Sequence, residues 1–351
     1  MKILRKTMPI LSAVLLLASC SKEAGKTDDP SFDGKKGVLF SFSTPNMDSQ
    51  TVSTRAGVND EELKHLRVLQ FDGTSDAALL TFNETYTSSN LESGNKLYVD
   101  LDETSGTTIY VVANAEASTS LASLSKDYTT LGDFKTLTLD FAKEADVTAD
   151  DVLPMFGVAG PFSNSEATVK LTRMVAKVSF TCTVDIPAST KEQFKIQNIQ
   201  LLDAANKVLF VAKTGSSSDN VFPVADVNNF FDYVEEAAAP TEEDEISRTW
   251  FVPENLKGTI TNTDPKKKDT DHAPKRSTYV DVSGYYTNKD GDEEPVTYRI
   301  YLGANATDDF DLVRNNAYTI KVTIKGKNEH DTRVLVNKGV PAGQYEDGGE
   351  W

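Results

Sequence analysis

At 351 residues with a formal net charge of −17, the chain is long enough for two or three domains and too acidic for nucleic acid, whose phosphates it would repel. Hydrophobic residues make up 39% of it, enough to build real cores. Thr, Val, Phe and Tyr are prominent and long helical patterns scarce, so the expected class is all-β.

Lys2, Arg5 and Lys6 precede an apolar run from Met8 to Ala18, a charged segment and hydrophobic stretch of signal-peptide length, too short to span a bilayer. The run meets Leu17-Ala18-Ser19-Cys20, which resembles the lipobox of bacterial lipoproteins. That resemblance implies cleavage by a signal peptidase and a diacylglycerol thioether on the Cys20 sulfur, with 1–20 as the lipoprotein signal segment that ends in the lipidated cysteine. The alternative is a plain secretory signal with an incidental cysteine. No later stretch is long and apolar enough to cross a bilayer, so a lipid anchor would be the only membrane tie. Residues 21–36, rich in Ser, Lys, Gly, Asp and Glu, read as a flexible tether.

From Gly37 to Gly57 the chain reads GVLFSFSTPNMDSQTVSTRAG. Val38, Phe40 and Phe42 recur at period two against Ser41 and Ser43, which predicts a strand with one side buried. TVSTRAG carries no large apolar residue except Val52 and reads as an exposed connector, the kind of segment proteases cut. Two readings follow: an ordinary edge strand and loop, which these residues alone favour, or a first strand removed by cleavage after Arg55.

Beyond it, LKHLRVLQFDGTSDAALLTFN gives two strands about an Asp72-Gly73 turn, and KLYVDLDETSGTTIYVVANAE two more, with Ile109 to Ala113 apolar enough to be buried on both faces. Residues 116–136 admit a short helix or two; LTLDFA and VLPMFGVAGPF follow, the latter too rich in Pro and Gly for a helix. VKLTRMVAKVSFTCTV then reads as one long alternating strand, and FKIQNIQLLDAANKVLF repeats the order of the earlier hairpin at one domain's distance. This places a domain boundary near 165, giving β-sandwiches over 37–164 and 165–328. An acidic loop over 233–245 and a basic one over 264–276 read as solvated surface, whose opposite charges could set register between subunits. WFVPENL, STYVDVSGYY, VTYRIYLG and RNNAYTIKVTIKG are strands, the last with Tyr318, Ile320, Val322 and Ile324 on one face. In 329–351, RVLVNKGVPAGQY alternates again. It is either a final edge strand or an extended arm that adds as a strand to another molecule.

Chemistry is sparse. His65, His272 and His330 have no zinc-ligand spacing, and no phosphate loop, nucleophile elbow or partnered cysteine is present, so an enzyme and a cofactor are not expected. Cys182, the only cysteine beyond Cys20, reads as a small buried hydrophobe.

Three groups of residues resemble the fimbrillin family, subunits of type V pili in Bacteroidales: Leu171-Thr172-Arg173-Met174-Val175-Ala176-Lys177-Val178, Phe251-Val252-Pro253-Glu254-Asn255-Leu256, and Tyr301-Leu302-Gly303 leading to Val313-Arg314-Asn315-Asn316-Ala317-Tyr318. With the lipobox and Arg55, their order covers nearly the whole chain. The resemblance implies two tandem transthyretin-like β-sandwich domains with an extended C-terminal arm, in an outer-membrane lipoprotein precursor that matures into a cell-surface fimbria. It implies that an Arg-specific protease cuts between Arg55 and Ala56, that the strand carrying Val38, Phe40 and Phe42 is displaced, and that Val334, Leu335, Val336 and Val340 of another copy, or of a related pilin, replace it. The competing expectation is a monomeric surface lipoprotein binding glycan or host protein through its loops, with Tyr285, Tyr286 and Trp250 as a stacking platform.

Overall fold

In the computed structural model, residues 37–45, 58–101, 104–163, 165–213, 221–237, 245–328 and 332–339 are described. Period-two alternation yields strands in the first half: β1 (Val38–Ser43), β2 (His65–Phe71), β3 (Leu80–Thr87), β4 (Lys96–Val99), β5 (Thr108–Ala113), β6 (Thr138–Asp140), β7 (Met155–Ser163), β8 (Glu166–Lys170) and β9 (Thr172–Arg173). Three one-turn helices lie between β5 and β7: α1 (Thr119–Ala122), α2 (Leu131–Lys135) and α3 (Glu144–Val147). The first two fall in the helical stretch expected over 116–136. Ser118 accepts from the Leu121 amide to start α1, and a Thr130–Asp133 capping box starts α2.

One sheet runs in the order β3-β2-β5-β7-β8-β1-β4, with β9 also on β7. It folds over at β7, whose Met155–Val158 portion pairs with β5 and whose Ala159–Ser163 portion pairs with β8 across a register irregularity. The two limbs close on a core that includes Phe40, Phe42, Val68, Leu97, Val111 and Val169. Ile109 to Ala113 are all buried, as their unbroken apolar run predicts: Ile109 and Val111 face this core, Tyr110 and Val112 a second one.

The second half contributes β10 (Val175–Val184), β11 (Gln193–Leu202), β12 (Ala204–Ala205), β13 (Lys207–Leu209), β14 (Phe230–Phe231), β15 (Glu236–Ala237), β16 (Glu245–Pro253), β17 (Tyr279–Thr287), β18 (Glu293–Tyr301), β19 (Ala317–Ile324) and β20 (Thr332–Gly339). Sheets β16-β10-β19-β20 and β15-β11-β17-β18 face each other across Phe180, Phe194, Trp250, Tyr298, Tyr318 and Ile320. The layout repeats that of the first half: β10 is antiparallel to β16 and parallel to β19, as β1 is antiparallel to β4 and parallel to β8. The architecture is two tandem β-sandwiches, the all-β class expected.

Two details differ from the sequence reading. The run expected as one strand is divided, because Val169 and Leu171 are buried in the first core whereas Met174 and Val175 turn to the second. Position 165 therefore lies within the β7–β8 hairpin, and the chain leaves the first sheet only after Arg173. Nor are the halves packed as independent beads. The second core holds Phe71, Tyr110, Phe134 and Phe156 from one half with Val208, Phe210 and Phe251 from the other, and β13 pairs with β6. Phe134 stacks on Phe210 with ring centres 5.9 Å apart.

The basic loop is less free than its charge suggests: Lys268 donates to Asn305 O (2.6 Å) and Arg276 to Asp203 (2.7 Å). Lys257 is buried, with Nζ donating to Pro223 O at 2.7 Å and lying 4.7 Å from the Phe230 ring centre. Burial pushes its amine down to about 8 from an ordinary 10.5. Between those values the unfolded chain holds a proton that the folded chain has released, so this lysine's contribution to stability rises with pH over that window. Thermal unfolding of the parent should gain stability from pH 8 to 10 relative to Lys257→Met, whose curve lacks this term.

Candidate functional site

β1 is not an edge strand. It lies between β4, paired antiparallel from Val38↔Val99 to Ser41↔Lys96, and β8, paired parallel from Leu39↔Glu166 to Ser43↔Lys170. Bonds beyond the ladders lengthen the seam: Leu39 N donates to Ser165 O (2.9 Å), Phe42 N to Asn95 O (3.0 Å), and Leu171 N to Ser43 O (2.8 Å). Val38, Phe40 and Phe42 all enter the core, as their alternation predicts, and Phe40 meets Phe162 edge-on at 6.4 Å. Leu39, on the opposite face, is also buried. At the entrance, a Cβ on Gly37 would collide with Val99 O and the Tyr98 ring, so only glycine fits this approach. A strand held on both edges, with one face wholly in the core and Leu39 buried on the other, defines a slot one strand wide; each of its large apolar side chains is worth on the order of 1.5–3 kcal/mol of burial.

Arg173 closes the far end of the slot. Its side chain is wholly buried, although it is a charged residue between Leu171 and Met174-Val175, which enter the cores. Nη1 donates to Pro45 O (2.5 Å), two residues past the end of β1, and Nε donates to Asp60 O (2.7 Å). Asn315 Oδ1 accepts from the Arg173 backbone N (3.1 Å) and, at 3.4 Å, from Nη1. Nη2 makes no hydrogen bond and faces the Asp60 carboxylate at 3.6 Å. Burial pulls the guanidinium below its ordinary range, with the Asp60 and Glu61 carboxylates acting in the opposite direction. One side chain thus grips the chain on either side of residues 46–57.

The three sequence groups quoted above meet here. Arg173 of the first is held by Asn315 of the third, which adopts the left-handed conformation (φ 59°) that Asn tolerates better than most residues. Arg314, beside it, donates from Nε and Nη2 to Glu254 Oε2 of the second group (2.9 and 2.7 Å), and its backbone N donates to Glu254 Oε1 (3.1 Å). Its Nη2 and Nη1 also reach Leu209 O and Phe210 O, at 2.7 and 3.2 Å. Arg314 and Glu254 are both nearly inaccessible, so the pair is a buried structural joint.

Among the residues expected to supply the replacement strand, Val334 and Val336 lie in β20, antiparallel to β19, opposite Val322 and Ile320 and half-buried against the second sandwich's core. Leu335 stands opposite Lys321 in the same register. Within this chain the segment is thus the edge strand of its own sheet. Cys20, Arg55, Ala56 and Val340 lie outside the described residues.

The expected stacking platform does not form, since Trp250 and Tyr286 are 2% and 3% exposed in the core and only Tyr285, at 49%, is open. His65 is in β2, His272 pairs with Asp269 (2.7 Å), and His330 lies outside the described residues. Cys182 is buried, which pushes its thiol up to about 12. Among the described residues no group of His, Cys, Asp and Glu could hold a metal ion, and no helix is long and apolar enough to cross a membrane. The role of Arg173 was not legible in the sequence: within Leu171 to Val178 it stands with Thr172 and Lys177 as one of three polar residues, and only the motif there includes it.

Comparison with known proteins supplies the context. Residues 40–178 match the family model described as major fimbrial subunit protein (FimA), and residues 250–322 match a domain of unknown function (DUF4906). No curated protein sequence matches. Among solved structures, a proposed cell adhesion protein from Bacteroides eggerthii superposes with a TM-score of 0.55 at 16% identity, covering 87% of this chain and 96% of that one. One from Parabacteroides distasonis gives 0.53 at 14% identity, covering 89% and 98%. These likenesses establish the shared fold. The segment similar to the major fimbrial subunit family runs from Phe40 in β1 to Val178 in β10 and takes in most of the slot together with Arg173.

Proposed function

We propose that the chain is a structural, non-catalytic subunit of a cell-surface fimbria, exported as a lipoprotein through Cys20, cut after Arg55 and joined to neighbouring copies by strand exchange in support of adhesion. The observation that carries this is the placement of β1. The strand that precedes Arg55 in the chain occupies the interior of a sheet, with its Val38, Phe40 and Phe42 side chains in the core. Removing it leaves both an apolar groove and two rows of unpaired backbone groups, and an added strand satisfies both at once. A contact of arm to slot is head-to-tail and does not close on itself, so it propagates as a filament. Loss of the segment carrying Cys20 would free the subunit from its lipid anchor. β20 supports the donor role in part: among the described residues it is an edge strand, bonded to β19, while its Val334 and Val336 match two of the three slot positions.

The test is to treat purified precursor with an Arg-specific protease and follow oligomer ladders on gels. The parent should ladder, whereas Arg55→Ala chains and chains ending at Asn328 should stay monomeric. Ladders of equal strength from either variant would end the strand-exchange proposal. The reading of a glycan-binding monomer finds no observation in its favour, because two of its three aromatic residues are core.

A further inference from the structure

Resting on the strand-exchange reading, a register for the incoming strand can be argued from Arg173. The first strand and its extension read Val38-Leu39-Phe40 and then, five residues on, Pro45; the C-terminal segment reads Val334-Leu335-Val336 and, at the same spacing, Pro341. In β1 the end of this pattern is functional in a physical sense, because Pro45 O receives the Nη1 donor of a guanidinium with no solvent access. When residues up to 55 leave, Nη1 keeps only the 3.4 Å contact with Asn315 Oδ1, and Nη2 has no hydrogen bond to begin with. A buried, charged donor left without its carbonyl favours any occupant that restores one.

We propose that Arg173 is the end-stop of the slot. It binds a main-chain carbonyl seven residues beyond the first inward-facing residue of the occupying strand, and so sets the register of a neighbouring copy. Val334, Leu335 and Val336 of that copy take the places of Val38, Leu39 and Phe40, and the Pro341 carbonyl takes the place of the Pro45 carbonyl. Lys338 then falls at the position of Phe42, the last inward residue of β1 and the one next to exposed Ser43, where a long side chain can carry its charge back to water. A shift by one residue would turn Leu335 and Asn337 inward and move the proline carbonyl away from the guanidinium. Lysine cannot replace Arg173, since one ammonium lacks the fork that spans the Pro45 side and the Asp60 side together.

The experiment uses full-length precursor cut with the Arg-specific protease in the presence of competing amidated peptides. One peptide spans Thr332–Ala342; the other stops at Val340 and lacks the Pro341 carbonyl. The readout is the peptide concentration that halves ladder formation. With the parent chain the longer peptide should be about tenfold more effective, the effect of one charge-assisted hydrogen bond. With Arg173→Lys the two should agree within about twofold, because the carbonyl has lost its reader. Equal potency on the parent, or the same tenfold ratio on both chains, overturns the end-stop. Should the Arg173→Lys precursor fail to fold, as its thermal melt would reveal, the ratio on the parent decides alone. If the cut parent makes no ladder at all, strand exchange itself falls and the register with it, an outcome distinct from ladders that both peptides block equally.

Discussion

Phe40→Ala should lower the unfolding free energy of the uncut precursor by about 3–5 kcal/mol, the range for emptying a fully buried phenylalanine site. The ring contacts Phe42 and Phe162 and lies in the closed core between the two limbs of the first sheet, so little can collapse into the space left behind. Denaturant unfolding of the precursor measures this directly. The informative comparison is with the assembled form. If β1 is discarded on assembly, ladders made from Phe40→Ala precursor should dissociate at the same temperature as parental ladders, because residue 40 is no longer in them. A parallel loss in both would mean that β1 stays in the sheet.

Glu254→Ala should cost a further large amount, about 3–5 kcal/mol, by leaving the Arg314 guanidinium buried without its carboxylate. Arg314 would keep the Leu209 and Phe210 carbonyls, but these accept hydrogen bonds without neutralising charge. Replacing both partners with methionine removes the unpaired charge and should recover much of the loss. The double variant therefore separates the penalty of a stranded ion from the net worth of the pair, and urea midpoints of Glu254→Met, Arg314→Met and the double Met variant close the cycle. Because the pair ties the ends of β13 and β16 to the turn before β19, the single variants should loosen hydrogen-exchange protection in the second sandwich before the first.

Much of this was legible in the sequence because strand burial has period two. Val38, Phe40 and Phe42, Tyr318 through Ile324, and the doubly buried Ile109 to Ala113 all follow from alternation or its absence. What alternation cannot reveal is which strands become neighbours. β1 looked like an edge because a strand's partners are absent from its own residues; its pairing with β8 joins positions 127 apart, Leu39 and Glu166. The VKLTRMVAKVSFTCTV run looked continuous because polar residues keep interleaving with apolar ones while the chain changes sheet after Arg173. The core shared by the halves was hidden for a related reason: Phe134, Phe210 and Phe251 read as members of their own segments, and only tertiary placement brings them together. Arg173 illustrates the limit for polar residues, since a buried arginine is recognisable only when the carbonyls around it are known.

The two ladders that flank β1 bear on timing. Both ladders, among the described residues, lie within Val38–Ser43, upstream of Arg55, so a cut after Arg55 would break a covalent tether and leave these pairings intact. What changes is concentration. Tethered, the strand returns to its slot at an effective concentration on the order of millimolar; severed, it returns only as fast as free peptide is available. Protease action would then set the direction of exchange without triggering it. The pace would belong to the spontaneous departure of a six-residue strand from between its neighbours, a step that can be slow without any enzyme controlling it.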